Sequence, residues 1–126
     1  YGRDGCRVPI PWETAALAFG FSGSGESWLP QPTSFARFAR DVQRGDPAST
    51  LELYRAALAL RAEHELGTGA VEWLDGYGDE VVALRNRAVI VIANLGAAPV
   101  PVPPGELLLA SGPLVDGQVA TDTTVW

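Results

Sequence analysis

The residues best suited to chemistry stand together in Gly2-Arg3-Asp4-Gly5-Cys6-Arg7-Val8-Pro9-Ile10-Pro11-Trp12, with Trp28-Leu29-Pro30-Gln31-Pro32 a short loop further on. Arg3 and Arg7 offer forks of hydrogen-bond donors, Asp4 a carboxylate, Cys6 a thiol, and Trp12 and Trp28 apolar ring faces. Gly2 and Gly5 permit tight or left-handed backbone, while Pro9 and Pro11 fix φ and push the residues before them toward extended conformations. A shaped loop carrying this mixture is costly to order unless something binds there.

Other chemistries find little support. No glycine-rich phosphate loop, Ser-His-Asp arrangement or cysteine pair is present, and Gly23-x-Gly25 lacks the strand before and helix after that would give it meaning. The lone cysteine, Cys6, cannot form an internal disulfide, which fits a reducing cytoplasm, and is expected as a small buried apolar side chain. His64, the only histidine, falls in the last turn of a helical pattern and is expected at the surface. With no second histidine and no cysteine beside it, neither a metal nor another cofactor is expected.

The elements that must position the loop follow in order. Residues 13–27 read as a long surface loop without regular structure, interrupted by Ser22-Gly23-Ser24-Gly25. Residues 34–44 predict a helix with Thr33 or Ser34 as N-cap, Phe35, Phe38 and Val42 at helical spacing, and Gly45 at its end. Residues 47–66 predict a longer helix, with either Asp46 as a direct N-cap or Ser49-x-x-Glu52 as a competing capping box, and Gly67 as a left-handed cap. Its stripe of Leu51, Tyr54 and Leu58, flanked by Leu53, Ala57 and Leu60, is broad enough that both neighbouring faces should be packed. After Gly69 the period shortens to two, predicting strands at 70–74, 80–85 and 88–93, the third central. Weaker strands are expected at 100–103, 107–110 and 119–125, the first confined to a sheet edge by its prolines, with Asp116-Gly117 as a hairpin turn. Trp73 and Tyr77 are assigned to the sheet core and its turn. Successive short strands separated by turn residues suggest a small antiparallel β-sandwich.

A length of 126 residues allows one small domain or parts of two, and a hydrophobic content of 47% is ample for a core. A net charge of −6 disfavours nucleic acid and anionic membrane surfaces. No apolar run approaches the roughly 20 residues of a membrane span. All nine basic residues are arginine, and alanine, glycine and proline abound, as a GC-rich bacterial gene would encode. No methionine is present, so position 1 is not expected to be a translation start.

The spacing Arg3-Asp4-Gly5-Cys6-Arg7-x-Pro9-x-Pro11-Trp12, then Trp28-Leu29-Pro30-Gln31-Pro32, then Ser49-x-Leu51-x-Leu53-Tyr54-Arg55-x-x-Leu58-x-Leu60-Arg61, closely resembles the α-glucosidases of the α-amylase superfamily, glycoside hydrolase family 13, in their oligo-1,6-glucosidase-like form. The resemblance covers Gly2 to about Arg61 as motifs and continues to the end as strand pattern. It implies an α+β chain. Residues 1–66 would be the last substrate-side loop and terminal helices of a truncated (β/α)8 catalytic barrel, and 67–126 a C-terminal β-sandwich.

Retaining glycoside cleavage uses two carboxyl groups about 5 to 5.5 Å apart. The family takes them, and a third carboxylate, from earlier barrel strands; Asp4, Glu13 and Glu26 match none of the motifs, so no catalytic residue is assigned. Arg7, from its place before x-Pro, corresponds to an arginine that the family keeps in its glucose-recognising subsite. Trp28 is a second substrate-binding candidate, since pyranose rings present C–H faces that lie well on an indole. Arg3, Asp4 and Trp12 are expected to structure the loop.

The parent enzyme implied by the resemblance would hydrolyse terminal α-linked glucose from maltose-like or isomaltose-like oligosaccharides in the cytoplasm. The chain alone would be inactive and would meet its oligosaccharide through the missing barrel. Two other readings compete: a free-standing carbohydrate-binding module built on the sandwich, and an inactive gene remnant.

Overall fold

Short turns rather than long helices build the first part of the chain, as a computed structural model of residues 2–126 shows. Short 3-10 segments occupy Asp4–Arg7, Leu17–Gly20 and Thr33–Phe38, followed by α1 at Arg40–Gln43. The expected helix over 34–44 is thus two pieces. Ala39 breaks it with an extended backbone (φ −62°, ψ 142°), without the hydroxyl cap expected at Thr33 or Ser34. The cause lies in the preceding loop: the Arg40 and Asp41 amides donate to the Pro11 and Trp12 carbonyls at 3.2 and 3.1 Å. Those bonds replace the helical ladder at the point where Ala39 is fully buried.

The segment expected to lack structure holds a left-handed turn. Ala18 (φ 45°), Phe19 (φ 50°) and Gly20 (φ 77°) succeed one another in a region that costs a residue bearing Cβ about 1–2 kcal/mol. Offsetting that cost, the Phe19 carbonyl accepts from both the Trp12 and Glu13 amides, at 2.8 and 3.1 Å.

Helix α2 runs over Thr50–Glu63. Half of the expected capping box forms: the Ser49 hydroxyl accepts from the Glu52 amide at 3.2 Å, but the Glu52 carboxylate takes the Gly45 amide at 3.0 Å instead of that of Ser49. The expected packing on both sides of its stripe does not occur among the described residues. Tyr54 is 65% and Leu58 62% exposed, and no residue of the helix is buried. The left-handed residue after the helix is Glu65 (φ 53°), not Gly67, because a 3-10 turn follows at Leu66–Thr68. Arg87 holds that turn, its Nε donating to the Glu65 carbonyl at 3.1 Å and its Nη2 to the Thr68 hydroxyl at 2.8 Å.

Strands β1 (Val71–Trp73), β2 (Val81–Asn86) and β3 (Val89–Asn94) fall within a residue or two of their expected places. They are joined by β4 (Val100–Pro101), β5 (Gln118–Val119) and β6 (Thr123–Val125). An antiparallel sheet of order β1-β2-β3-β6 and a two-stranded β4-β5 sheet result, with Ala83, Ile92, Val119 and Val125 buried together between them. This arrangement fits a β-sandwich. The central position expected for β3 is observed, as is the edge position of the proline-rich segment. Asp116 and Gly117 both have positive φ (50° and 75°) between bridged Val115 and Gln118, as a two-residue hairpin turn requires.

Three expectations for this region are corrected. Residues 107–110 form no strand of their own: the Leu108 amide and Leu109 carbonyl bond to Trp126, and Ala110 makes one bridge to Val125. The strand expected over 119–125 is two, parted by a turn in which Asp122 has φ 54°. Trp73 is 69% exposed rather than in the core. Register explains it, for Trp73 sits opposite Leu84, whose side chain points away from the face that buries Ala83.

The chain divides into two compact units between Arg55 and Ala56, inside α2. Among the described residues no helix is long and apolar enough to cross a membrane.

Candidate functional site

The arginine loop is built from alternation. Pro9 and Pro11 are buried, which turns Ile10 (64%) and Trp12 (47%) outward. Before them the Asp4–Arg7 turn is closed by the Cys6 amide donating to the Arg3 carbonyl at 3.0 Å, and none of its residues is buried. Cys6 is therefore exposed, which corrects the expectation of a buried side chain.

The second motif holds the first through its own side chains. The Trp28 indole N–H donates to the Arg7 carbonyl at 2.7 Å, and the Gln31 amide to the Pro9 carbonyl at 3.1 Å. Arg7 and Trp28, separate candidates in the sequence, are thus joined, with Trp28 itself 71% exposed and meeting Phe21 edge-on at 5.3 Å between ring centroids. Both sugar-facing candidates lie at the surface. The Arg7 side chain is exposed, and the ion pairs among the described residues, Arg55–Glu52, Arg85–Glu72 and Arg87–Glu65, include none of Arg3, Asp4 and Arg7. Trp12 is anchored by its backbone, its amide to Phe19 and its carbonyl from Asp41.

Two supports were not legible. Asp41 accepts from both the amide and the hydroxyl of Thr14 at 2.8 Å, pinning the end of the loop to the start of α1. The Thr14 amide, then the Thr14 hydroxyl, hold the Asp41 carboxyl below its ordinary range by favouring the charged form. A pair 27 residues apart leaves no local pattern to find. Gln31 was visible within its motif, but nothing in the spacing assigned it a role. Beside these supports the left-handed turn borders a concavity of about 440 Å³, with Phe19, Ser27, Leu29, Gln31 and Thr33 on its walls. Its volume is within the range of small-molecule sites. Among the described residues no group of His, Cys, Asp or Glu side chains is arranged to hold a metal ion.

No protein-family model matches the chain. Individual proteins do. It is 41% identical over 98 residues to a probable α-glucosidase of Rhizobium meliloti, an alignment covering 75% of this chain and 17% of that protein. The oligo-1,6-glucosidase of Parageobacillus thermoglucosidasius is 28% identical over 98 residues, 74% of this chain and 17% of its own. The human amino acid transporter heavy chain SLC3A1 is 32% identical over 96 residues, 71% and 14%. Among solved structures, that of the α-glucosyl transfer enzyme XgtA superposes with a TM-score of 0.73 at 32% identity, covering 98% of this chain and 25% of that one.

Fold and sequence together define a region of the glycoside hydrolase family 13 type. Its relatives within that class include α-glucosidases and an oligo-1,6-glucosidase, and the chain spans 17% of the length of the two bacterial ones.

Proposed function

We propose that this chain is the C-terminal part of a retaining α-glucosidase acting on maltose-like or isomaltose-like oligosaccharides. Residues 1–66 complete the substrate side of a (β/α)8 barrel and 67–126 form its appended sandwich. The observation that carries the proposal is the exposed Arg7, whose carbonyl is fixed by Trp28 and whose following proline loop is fixed by Gln31. An arginine presented on a braced backbone can pair a carboxylate and a sugar hydroxyl at once, because its donors form a rigid planar fork. Trp28 stands beside it as an apolar face for a pyranose ring. Arg3, Asp4 and Trp12 shape the loop. The exposed stripe of Tyr54 and Leu58 supports the barrel part of the reading, as a helix face made to be covered. No catalytic carboxylate is assigned to these residues, so the chain alone is inactive.

The test replaces the matching stretch of the Rhizobium meliloti relative with residues 1–126 and follows release of nitrophenol from an aryl α-glucoside. The chimera is expected to be active, and Arg7→Ala to lower kcat/KM at least about 100-fold, since it removes a charge-assisted pair at the reacting sugar. Arg7→Lys should recover little of that. Glucose release by the isolated 126-residue chain at a rate indifferent to Arg7 would overturn the reading.

A carbohydrate-binding module is the second reading, and it gains one observation: Trp73 is 69% exposed on a strand. Similarity to a protein named as a transporter heavy chain also shows that a stretch of this kind is not confined to proteins named as glucosidases. Calorimetric titration of the chain with maltotriose separates the two, because a binding module would give saturable heat that Trp73→Ala abolishes.

A further inference from the structure

Three arginines converge on one surface concavity in a chain whose net charge is −6. Arg40 opens α1 and Arg44 follows directly after it, its amide donating to the Arg40 carbonyl at 3.0 Å, while Arg55 stands four residues after Leu51 on α2. Together these four residues line a cavity of about 260 Å³, with Leu51 as its apolar wall. Like charges this close repel, and an anion bound between them would relieve that repulsion.

Of the nearby carboxylates, two are committed elsewhere and one is held within the cluster. Asp41 is taken by Thr14 and the Val42 amide, and Asp46 by the Ala48 amide at 2.9 Å. Glu52 divides itself between the Gly45 amide and Arg55, which it meets at 2.9 and 3.2 Å. The Arg44 charge also acts on Glu52, so a single carboxylate serves a cluster of three guanidinium groups. Among the described residues Arg40 and Arg44 enter no ion pair.

We infer that Arg40, Arg44 and Arg55 form a binding site for a tetrahedral oxyanion, either free phosphate or the phosphoryl group of a phosphorylated sugar. Planar forks approaching from α1, the residue after it and α2 match such an anion, whose oxygens each accept several charge-assisted hydrogen bonds. The volume is slightly below the ~300 Å³ at which pockets for drug-sized ligands begin, which suits a small anion rather than a whole oligosaccharide. The site is separate from the Arg7 loop and does not depend on the α-glucosidase reading.

Isothermal titration of the full 126-residue chain, at constant ionic strength in chloride, tests it with inorganic phosphate, glucose 6-phosphate and glucose as probes. Phosphate is expected to give saturable binding with Kd of about 1 mM or tighter, and glucose none. Arg40→Ala and Arg44→Ala should each weaken phosphate binding about tenfold or more, as loss of charge-assisted bonds does. Arg40→Lys, which keeps the charge without the fork, should fall between, and Arg61→Ala should change nothing. Tighter binding of glucose 6-phosphate than of phosphate identifies the source as a sugar phosphate; equal binding identifies it as the free anion. The site is refuted by the absence of saturable phosphate binding, or by binding that survives Arg44→Ala in a variant whose circular dichroism is unchanged.

Discussion

The loop region up to α1 and the strand region from Val71 onward keep their shapes by different means. In the first, order comes from hydrogen bonds that reach across the chain: Trp28 to Arg7, Gln31 to Pro9, Thr14 to Asp41, Arg40 and Asp41 back to Pro11 and Trp12. Its buried apolar residues are small, with Ala39 flanked in sequence by exposed neighbours. In the second, Ile92, Val119, Ala83 and Val125 share a core, and the fully buried Asn94 binds two strands into it. The Asn94 amide donates to the Ala98 and Val119 carbonyls while its oxygen accepts from Gly96, so its polarity is satisfied inside. A region held by exposed hydrogen bonds competes with water at every contact. One held by burial does not, and several of the loop's apolar side chains, Ile10, Leu17 and Trp28 among them, remain exposed.

That contrast can be broken most directly by hydrogen exchange. Amides of β2 and β3 should exchange about a thousandfold more slowly than those of residues 3–38, because core strands open only near the global stability and surface turns open locally. Uniform protection would dissolve the distinction. Ile92→Ala should cost the strand region about 3 kcal/mol by removing a fully buried side chain from its centre, measured by chemical denaturation. Loss of protection in the loop to the same degree would mean that the two regions unfold as one.

A smaller effect sharpens the account of the loop. Trp28→Phe keeps the edge contact with Phe21 but loses the indole N–H on the Arg7 carbonyl, and should loosen the loop by about 1 kcal/mol. Faster exchange at the Cys6 and Trp28 amides, with β3 unchanged, would show it. The least is electrostatic. Because the Thr14 bonds lower the Asp41 carboxyl below its ordinary 3.8, their ordering effect is complete above that value and fades as the pH falls through the lowered one. The Asp41 side chain should titrate by nuclear magnetic resonance with a midpoint below 3.8, returning toward it in Thr14→Val. A midpoint at or above 3.8 in the natural sequence would remove Thr14 from the scaffold.

Much of the fold was legible because periodicity is local. The unbroken apolar run Val89-Ile90-Val91-Ile92 names a central strand without reference to anything else. The spacing of Leu51, Tyr54 and Leu58 likewise names a helix. The break at Ala39 was not legible, since the residues on both sides favour a helix and the competing carbonyls belong to Pro11 and Trp12. Trp73 was misplaced for a related reason: a short strand with apolar residues on alternate positions fits either face, and only pairing with Leu84 chose. Of the site, the residue types in the Arg7 loop and in Trp28-Leu29-Pro30-Gln31-Pro32 could be read, but not that one motif carries the other.

The amino-acid order by itself determined α2 and the strands β1 to β3, which loop is loaded with charge and aromatic rings, and the family the three motifs resemble. Only the folded chain decided that Arg7 and Trp28 are neighbours, that Cys6 and Trp73 face outward, and that Arg40, Arg44 and Arg55 share one cavity. The reason is distance along the chain. Helix and strand are set by residues within a turn or a pair of positions, whereas a hydrogen bond between Thr14 and Asp41, or between Asn94 and Val119, depends on the path of everything between them.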